Sequence, residues 1–460
     1  MKKSLLQIIS ANLLYLILVA GNNFLLPKFT SVETYAAVKE YTLYVTTYGT
    51  VLTFGYIHGM YLHFGGKELK SIAAKEIGAN VASFFLLMLP ISIGASMFGV
   101  WSQNIVMTAL GLGLLSTNLT QYYQMFYQAT GDFKSYGTAL NASRVLVLVV
   151  NMFLIFVCKT DNKVFYVGIS PMVGIGTAVY LTIKLNNKIP FLRCFRVSFA
   201  EIKRNICSGF VLMLGEFASR LFTSIDRWFV NGLLGVFHFA MYSFAVSMEN
   251  LVNTFMTPVT VSMYNFFCKK PDVEEIRKVK DITLIYSMVI IAGAFPCKWI
   301  LENFITEYLP SAGVMFFLFA SQGISAVIRG IYVNKYKADG EQKKYLRQMM
   351  KMLALAVLLN CVFFYIGRNI ESIAAATLLT NLIWLIQCEI ETPELRYNGK
   401  TITACILLIA VYMFAGQKLN AFAGAALYCF AGVALGMTLM KDRFLFVLSS
   451  LRILDKNKSH

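Results

Sequence analysis

The sequence predicts an all-α integral membrane protein of about fourteen transmembrane helices: two six-helix bundles as parallel repeats, plus a C-terminal helix pair. Three observations carry that expectation. Of 460 residues, 57% are hydrophobic and only 14% charged, with a mean hydropathy of +0.62, a balance typical of polytopic membrane chains rather than soluble ones. Lys and Arg collect in alternate loops between the apolar runs. A ten-residue pattern occurs twice, in the same order relative to those runs.

Taking about 20 apolar residues per span, the first series falls near 5–26, 37–58, 77–98, 105–127, 137–157 and 165–183. A basic linker follows at 184–204. The second series falls near 206–229, 238–262, 282–301, 312–333, 352–367 and 372–390, with an extra pair near 401–415 and 421–440. The implied domains are a first bundle with its linker (1–204), a second bundle (205–400), the extra pair (401–440) and a basic tail (441–460). Met1-Lys2-Lys3 before an apolar run resembles a signal sequence. No small-residue cleavage site follows, so the reading is a first span. Phe444 to Leu454 is too short to span and reads as lying on the inner surface.

Orientation follows from the loops. Lys28, Lys159, Lys163, Arg368 and Lys418 fall on one side, and thirty other Lys and Arg residues on the opposite side. Because basic loops stay in the cytoplasm, both termini are expected to be cytoplasmic, in the bacterial inner membrane. The net charge of +17 is then a topology signal, and no nucleic-acid partner is implied. The nine cysteines show neither C-x-x-C nor zinc spacing and read as small packing residues. His58 and His63 make a poor metal pair, so no metal and no cofactor are expected.

The repeat is Y-x-A-x-G-[DE]-x-K-x-Y, at Tyr127–Tyr136 and Tyr336–Tyr345, each preceded four residues earlier by Tyr123 or Tyr332. Met60-Tyr61-x-x-Phe64 recurs as Met263-Tyr264-x-x-Phe267, and Tyr35 answers Tyr242. Three colinear matches indicate a duplicated chain. The shift is six spans, an even number, which makes the halves parallel repeats about an axis along the membrane normal.

Polar residues inside the spans mark candidate sites. In the span at 206–229, Glu216, Arg220, Thr223 and Arg227 are spaced i, i+4, i+7 and i+11 and so share a helical face. A charge at mid-membrane costs about 2.5–3.5 kcal/mol on insertion scales, so this face is not expected to meet lipid. Glu216 and Arg220 read either as an ion pair bracing two helices or as a cavity wall, with the cavity favoured. Asp226 and Arg227 read equally as an interfacial anchor or a site. The span at 37–58 aligns Lys39, Thr42, Thr46, Gly49 and Thr53, and the span at 238–262 aligns Asn250, Asn253, Thr254 and Thr257 with Glu249 at the edge. The Thr and Gly residues read as packing, Lys39 and Glu249 as cavity groups. Arg144, beside Asn141 and Asn151, and Arg329, beside Gln322 and Ser325, lie close enough to a membrane face to snorkel. The candidate substrate-binding set is Arg220, Glu216, Arg227, Asp226, Glu249, Lys39, Asn253, Arg144 and Arg329.

Asp226-Arg227, then Leu234-Gly235, then Ala240-Met241-Tyr242, is similar to the D-R…L-G…G-x-Y run of the polysaccharide-transport branch of the multidrug/oligosaccharidyl-lipid/polysaccharide flippase superfamily, which includes Wzx-type O-antigen flippases. Pro27 to Tyr35 resembles its first-half counterpart. The family often has Gly beside that Tyr, whereas this chain has Ala36 and Ala240. The 6+6+2 plan covers the whole chain. The resemblance implies a transporter, not an enzyme, that moves polyprenyl-pyrophosphate-linked oligosaccharide from the cytoplasmic to the outer leaflet by alternating access. It implies Arg220 as the pyrophosphate contact, since a guanidinium forks onto phosphate oxygens. Membrane lipids, and the polymerase and glycosyltransferases of surface polysaccharide assembly (O-antigen, capsule or exopolysaccharide), are the implied partners. Competing readings are an integral-membrane polymerase or acyltransferase, a cation-coupled multidrug exporter, and a lipid II flippase. Short outer loops and the absence of a nucleotide loop or G-x-S-x-G motif weigh against the enzymes.

Overall fold

The computed structural model describes residues 21–441 and 443; at 133–135, 252, 255–262, 265 and 342 only the backbone is described. Most of the first expected span and the surface segment after Lys441 lie outside the described residues. Within them the chain is helical, without strands, and divides into two compact units, one ending at Ser224 and one beginning at Ile225.

The first unit contains α1 (21–29), α2 (Val32–Leu52), α3 (Tyr56–Phe64), α4 (Ala74–Trp101), α5 (Ile105–Ala129), α6 (Phe133–Phe153), α7 (Lys163–Lys188) and α8 (Phe199–Phe222). The second contains α9 (Ile225–Leu233), α10 (Val236–Phe267), α11 (Val273–Ile291), α12 (Ala294–Asn303), α13 (Ser311–Val327), α14 (Asn334–Ala338), α15 (Gln342–Gly367), α16 (Ile370–Glu391), α17 (Gly399–Lys418) and α18 (Ala421–Leu439). Residues Leu154–Cys158 and Ile328–Val333 are π-helical. Among the described residues nine helical segments are long and apolar enough to cross a membrane, or ten if the bent pair α8 and α9 is one span. The chain is a multi-pass membrane protein. Three helices that carry expected spans, α2, α5 and α10, have the length but not the apolarity. α2 and α10 carry the polar stripes read at 37–58 and 238–262, so part of their surface is turned to something other than lipid.

Two expected spans are interrupted. The span at 37–58 breaks at Thr53–Gly55, where Phe54 and Gly55 have φ of 50° and 84°. The glycine is needed twice over, because a Cβ there would stand 2.6 Å from the backbone of Gly209 and Phe210 on α8. The span at 206–229 breaks at Thr223–Ser224. Thr223 and Ser224 turn their hydroxyls back onto the Arg220 carbonyl, at 3.0 and 2.8 Å, and such back-bonding competes with helix continuation. The four-residue stripe expected there is therefore corrected. Glu216 and Arg220 belong to α8, and Arg227 to α9.

In the first unit, the aromatic core is built from Tyr56, Phe64, Phe84, Tyr122, Tyr123 and Phe126, all at most 1% exposed. Phe84 and Tyr122 stack at 4.9 Å. The hydroxyls are satisfied internally: Tyr122 donates to Asn80 Oδ1 (2.9 Å) and Tyr56 to the Asn80 carbonyl (2.8 Å). The segment between α7 and α8, part of the expected basic linker, is largely exposed but anchored at a few points. Phe191 is fully buried, Ser83 and Ser198 bond reciprocally, and Gly78 lies against the Phe191 and Cys194 carbonyls.

In the second unit, Phe295, Phe316, Tyr412 and Tyr428 pack in edge-to-face and tilted pairs and join α17 and α18 to α12 and α13, with neighbouring centroids 5.0–5.8 Å apart. The break between α11 and α12 frees carbonyls in a dry environment. Tyr412 donates to the Ile291 carbonyl (3.2 Å) and Tyr428 to that of Met288 (2.8 Å), as an apolar interior requires. Lys280 is buried and paired with Glu389 at 2.7 Å.

The duplicated decapeptides adopt the same turn. Asp132 N–H bonds the Tyr127 carbonyl at 2.9 Å, and Glu341 N–H bonds that of Tyr336 at 2.9 Å. Gly131 and Gly340 have φ of 77° and 76°, the left-handed residue of a Schellman-type helix stop. Two other repeated pairs match in burial. Tyr35 and Tyr242 are both 0% exposed, while Tyr61 and Tyr264 are both exposed.

Candidate functional site

The first unit contains an open cavity of about 660 Å³ lined by polar and apolar side chains together, within the range of ligand pockets. α5 contributes Thr117, Asn118, Thr120, Gln121 and Gln124, and α2 contributes Thr46, Gly49 and Thr50. Asn22 and Asn23 of α1, Ser143 and Arg144 of α6, and Ser170 and Thr177 of α7 complete the polar lining, with Glu216 and Arg220 from α8. The spacing explains this. Thr117, Thr120, Gln121 and Gln124 recur at i, i+3, i+4 and i+7, one face of a helix, so a single helix can be apolar towards α4 and polar towards the cavity. Gly49 keeps that wall open, since a Cβ there would press on Asn118 Oδ1 at 3.2 Å.

The Glu216 carboxylate organises the charged wall. Its Oε1 accepts from Arg220 Nε (2.8 Å) and Nη2 (2.6 Å), and its Oε2 lies 2.9 Å from His58 Nε2 on α3. Arg220 Nη1 takes no part in these bonds. The Arg220 side chain is 39% exposed, that of His58 only 13%. The guanidinium therefore faces the open space, and the imidazole sits behind the carboxylate. His58 escaped the sequence reading because the contact joins residues 158 positions apart. Its one signal was a histidine inside an apolar run.

Arg144, expected to snorkel or to bind, lines the cavity. On the same helix Asn151 donates to Asn22 Oδ1 at 2.7 Å, tying α6 to α1. Lys39 reaches Asn23 Oδ1 at 3.3 Å, its ammonium 5.2 Å from the Tyr35 ring centroid; it is held beside cavity residues without being one of the lining groups.

The remaining candidates lie in the second unit. Asp226 is 6% exposed. Its Oδ2 accepts from Tyr242 (2.7 Å) and its Oδ1 from the Arg227 backbone N–H (2.7 Å), which pins the start of α9 to α10. Glu249 interacts electrostatically with Asp226, Arg227 and Arg329, and Arg329 lies in the π-helical turn after α13. The buried Nε of Arg227 has no hydrogen-bond partner among the described residues. Asn253 Oδ1 accepts from Gln322. The side chain of Thr257 lies outside the described residues. The nine candidates thus form two sets, Glu216, Arg220, Arg144 and Lys39 in the first unit and Asp226, Arg227, Glu249, Asn253 and Arg329 in the second.

Helices of spanning length, with a cavity among those of the first unit, define a multi-pass membrane protein. No family model matches the sequence, and no curated protein sequence does. Solved structures do match. The chain is similar to lipid II flippase MurJ in an inward closed conformation, with TM-score 0.63 and 14% identity, over 97% of this chain and 98% of that one. It is also similar to an inward-facing multidrug resistance MATE family transporter of the MOP superfamily, with TM-score 0.60 and 13% identity, over 85% of this chain and 96% of that one. The likeness to these two structures is one of fold.

Proposed function

We propose that the chain is a flippase that carries polyprenyl-pyrophosphate-linked oligosaccharide repeat units from the cytoplasmic to the outer leaflet for surface polysaccharide assembly, by alternating access. The observation that carries this reading is the cavity of the first unit, which combines hydroxyls and amides suited to sugar with the Arg220 guanidinium on one wall. An amphiphile with an anionic head needs such a space, and its lipid tail needs an apolar exterior. Arg220 is assigned the pyrophosphate, with Arg144 as a second cation on the wall. Such transport need not hydrolyse anything. An inside-negative potential, worth about 2.3 kcal/mol per charge per 100 mV, favours outward passage of an uncompensated anionic head. Polymerase and glycosyltransferases of the same assembly line are the proposed partners, and the bacterial inner membrane the proposed location.

A second reading, lipid II as cargo, is favoured by similarity to MurJ over nearly the whole chain. Both cargoes present a polyprenyl pyrophosphate, so substrate analysis separates them. On deletion of the gene, lipid-linked repeat units should build up on the cytoplasmic leaflet while surface polysaccharide disappears, and Arg220→Ala should reproduce this with the protein still present. Accumulation of lipid II instead would select the second reading. Repeat units displayed normally outside but left unjoined would replace transport with polymerisation.

A further inference from the structure

Glu216 is shared between two side chains of different character. Arg220, a permanent cation, holds Oε1, and His58, whose charge depends on pH, holds Oε2. We propose that His58 is a positioning residue whose protonation sets how much of the Arg220 guanidinium is available to an anionic headgroup in the cavity of the first unit. This rests on the transport reading above and needs from it only that the ligand is anionic.

The charge count gives the mechanism. With His58 neutral, Glu216 and Arg220 cancel, and an arriving anion competes with the carboxylate for the guanidinium. With His58 protonated the three groups sum to +1. The imidazolium then answers Glu216 from behind, and the guanidinium keeps its field directed into the cavity. Histidine is the side chain suited to such a change, because its charge alters across the ordinary pH range.

The surroundings do not supply a rival. On α8 the charged residues nearer its start are Glu201 and Arg204, paired with each other, and the exposed Lys203. α5, also packed on α3, carries no acidic or basic residue, and its titratable groups are the phenols Tyr122, Tyr123 and Tyr127. On α3 itself His63 is engaged by Glu76 of α4, which also takes Lys67. Arg144 on α6 is a permanent cation of the cavity wall. Among the described residues, Glu216 both contacts His58 and lines the cavity.

One elementary charge about 10 Å from a bound dianion, at an effective dielectric near 40, between that of a protein surface and that of water, changes affinity roughly tenfold. The test uses the full-length protein in nanodiscs and sulfate as probe, because its charge is constant over the range. Calorimetry should show sulfate binding roughly tenfold tighter near pH 5.5 than near pH 8. His58→Gln, whose amide can still donate to Glu216, should remove that slope while keeping the thermal unfolding midpoint, and Arg220→Gln should remove binding at every pH. Glu216→Gln, which deletes the carboxylate that couples the two, should raise affinity near pH 8. A slope that persists in His58→Gln, or a wild-type affinity that does not change with pH, overturns the role of His58 and leaves the anion site standing. Absence of sulfate binding at any pH, or binding indifferent to Arg220→Gln, overturns the anion site and this inference together.

Discussion

Arg220 and Glu216 make the favourable i, i+4 pair that their order in the chain suggests, and pairing alone would be compatible with a brace. The second oxygen of Glu216 changes the expectation for a charge exchange. Glu216→Arg combined with Arg220→Glu would preserve an intrahelical ion pair but set a guanidinium against His58 and withdraw the cation from the cavity position. The double variant should accumulate in the membrane at wild-type level by immunoblot and fail to restore surface polysaccharide in a deletion strain. Recovery close to wild type would mean that the pair only braces. The pair was legible because it is local to one helix; His58 was not, because a tertiary contact leaves no spacing to read.

At the scale of elements, α3 and α8 approach until their backbones touch, and glycine permits it. A Cβ on Gly59 would overlap the Asn205 backbone, and one on Gly209 the Gly55 carbonyl. Close approach at small residues is a main source of helix association in membranes. Gly209→Leu sets a side chain against main chain, which cannot move aside as a side chain would, so its cost should exceed the about 1–3 kcal/mol usual for overpacking. Thermal unfolding in detergent should show a clear loss of stability for that variant. Gly215→Leu, on the same helix at a glycine with open space around it, should unfold near the wild-type temperature. Hydropathy found the spans of α4, α6, α7 and α15 to α18 because it sums apolarity over a window. It ran through the breaks at Thr53–Gly55 and Thr223–Ser224 for the same reason, since the apolar run continues while the backbone does not.

For the molecule as a whole, the imbalance of basic loops predicts where each loop lies. Reporter fusions after Asn162, Asn303 and Asn420 should all signal the outer side; a cytoplasmic signal from any one would break the span count for everything downstream. The duplication was legible in few places, and the twin turns at Gly131 and Gly340 say why. A residue facing lipid is held only to being apolar, so two copies of a helix can drift to different sequences and remain equivalent. A backbone at φ near +77° accepts almost nothing but glycine, and the tyrosines before it are clasped inside the bundle. A common origin of the two halves would be written in the chain's punctuation and faded from its words.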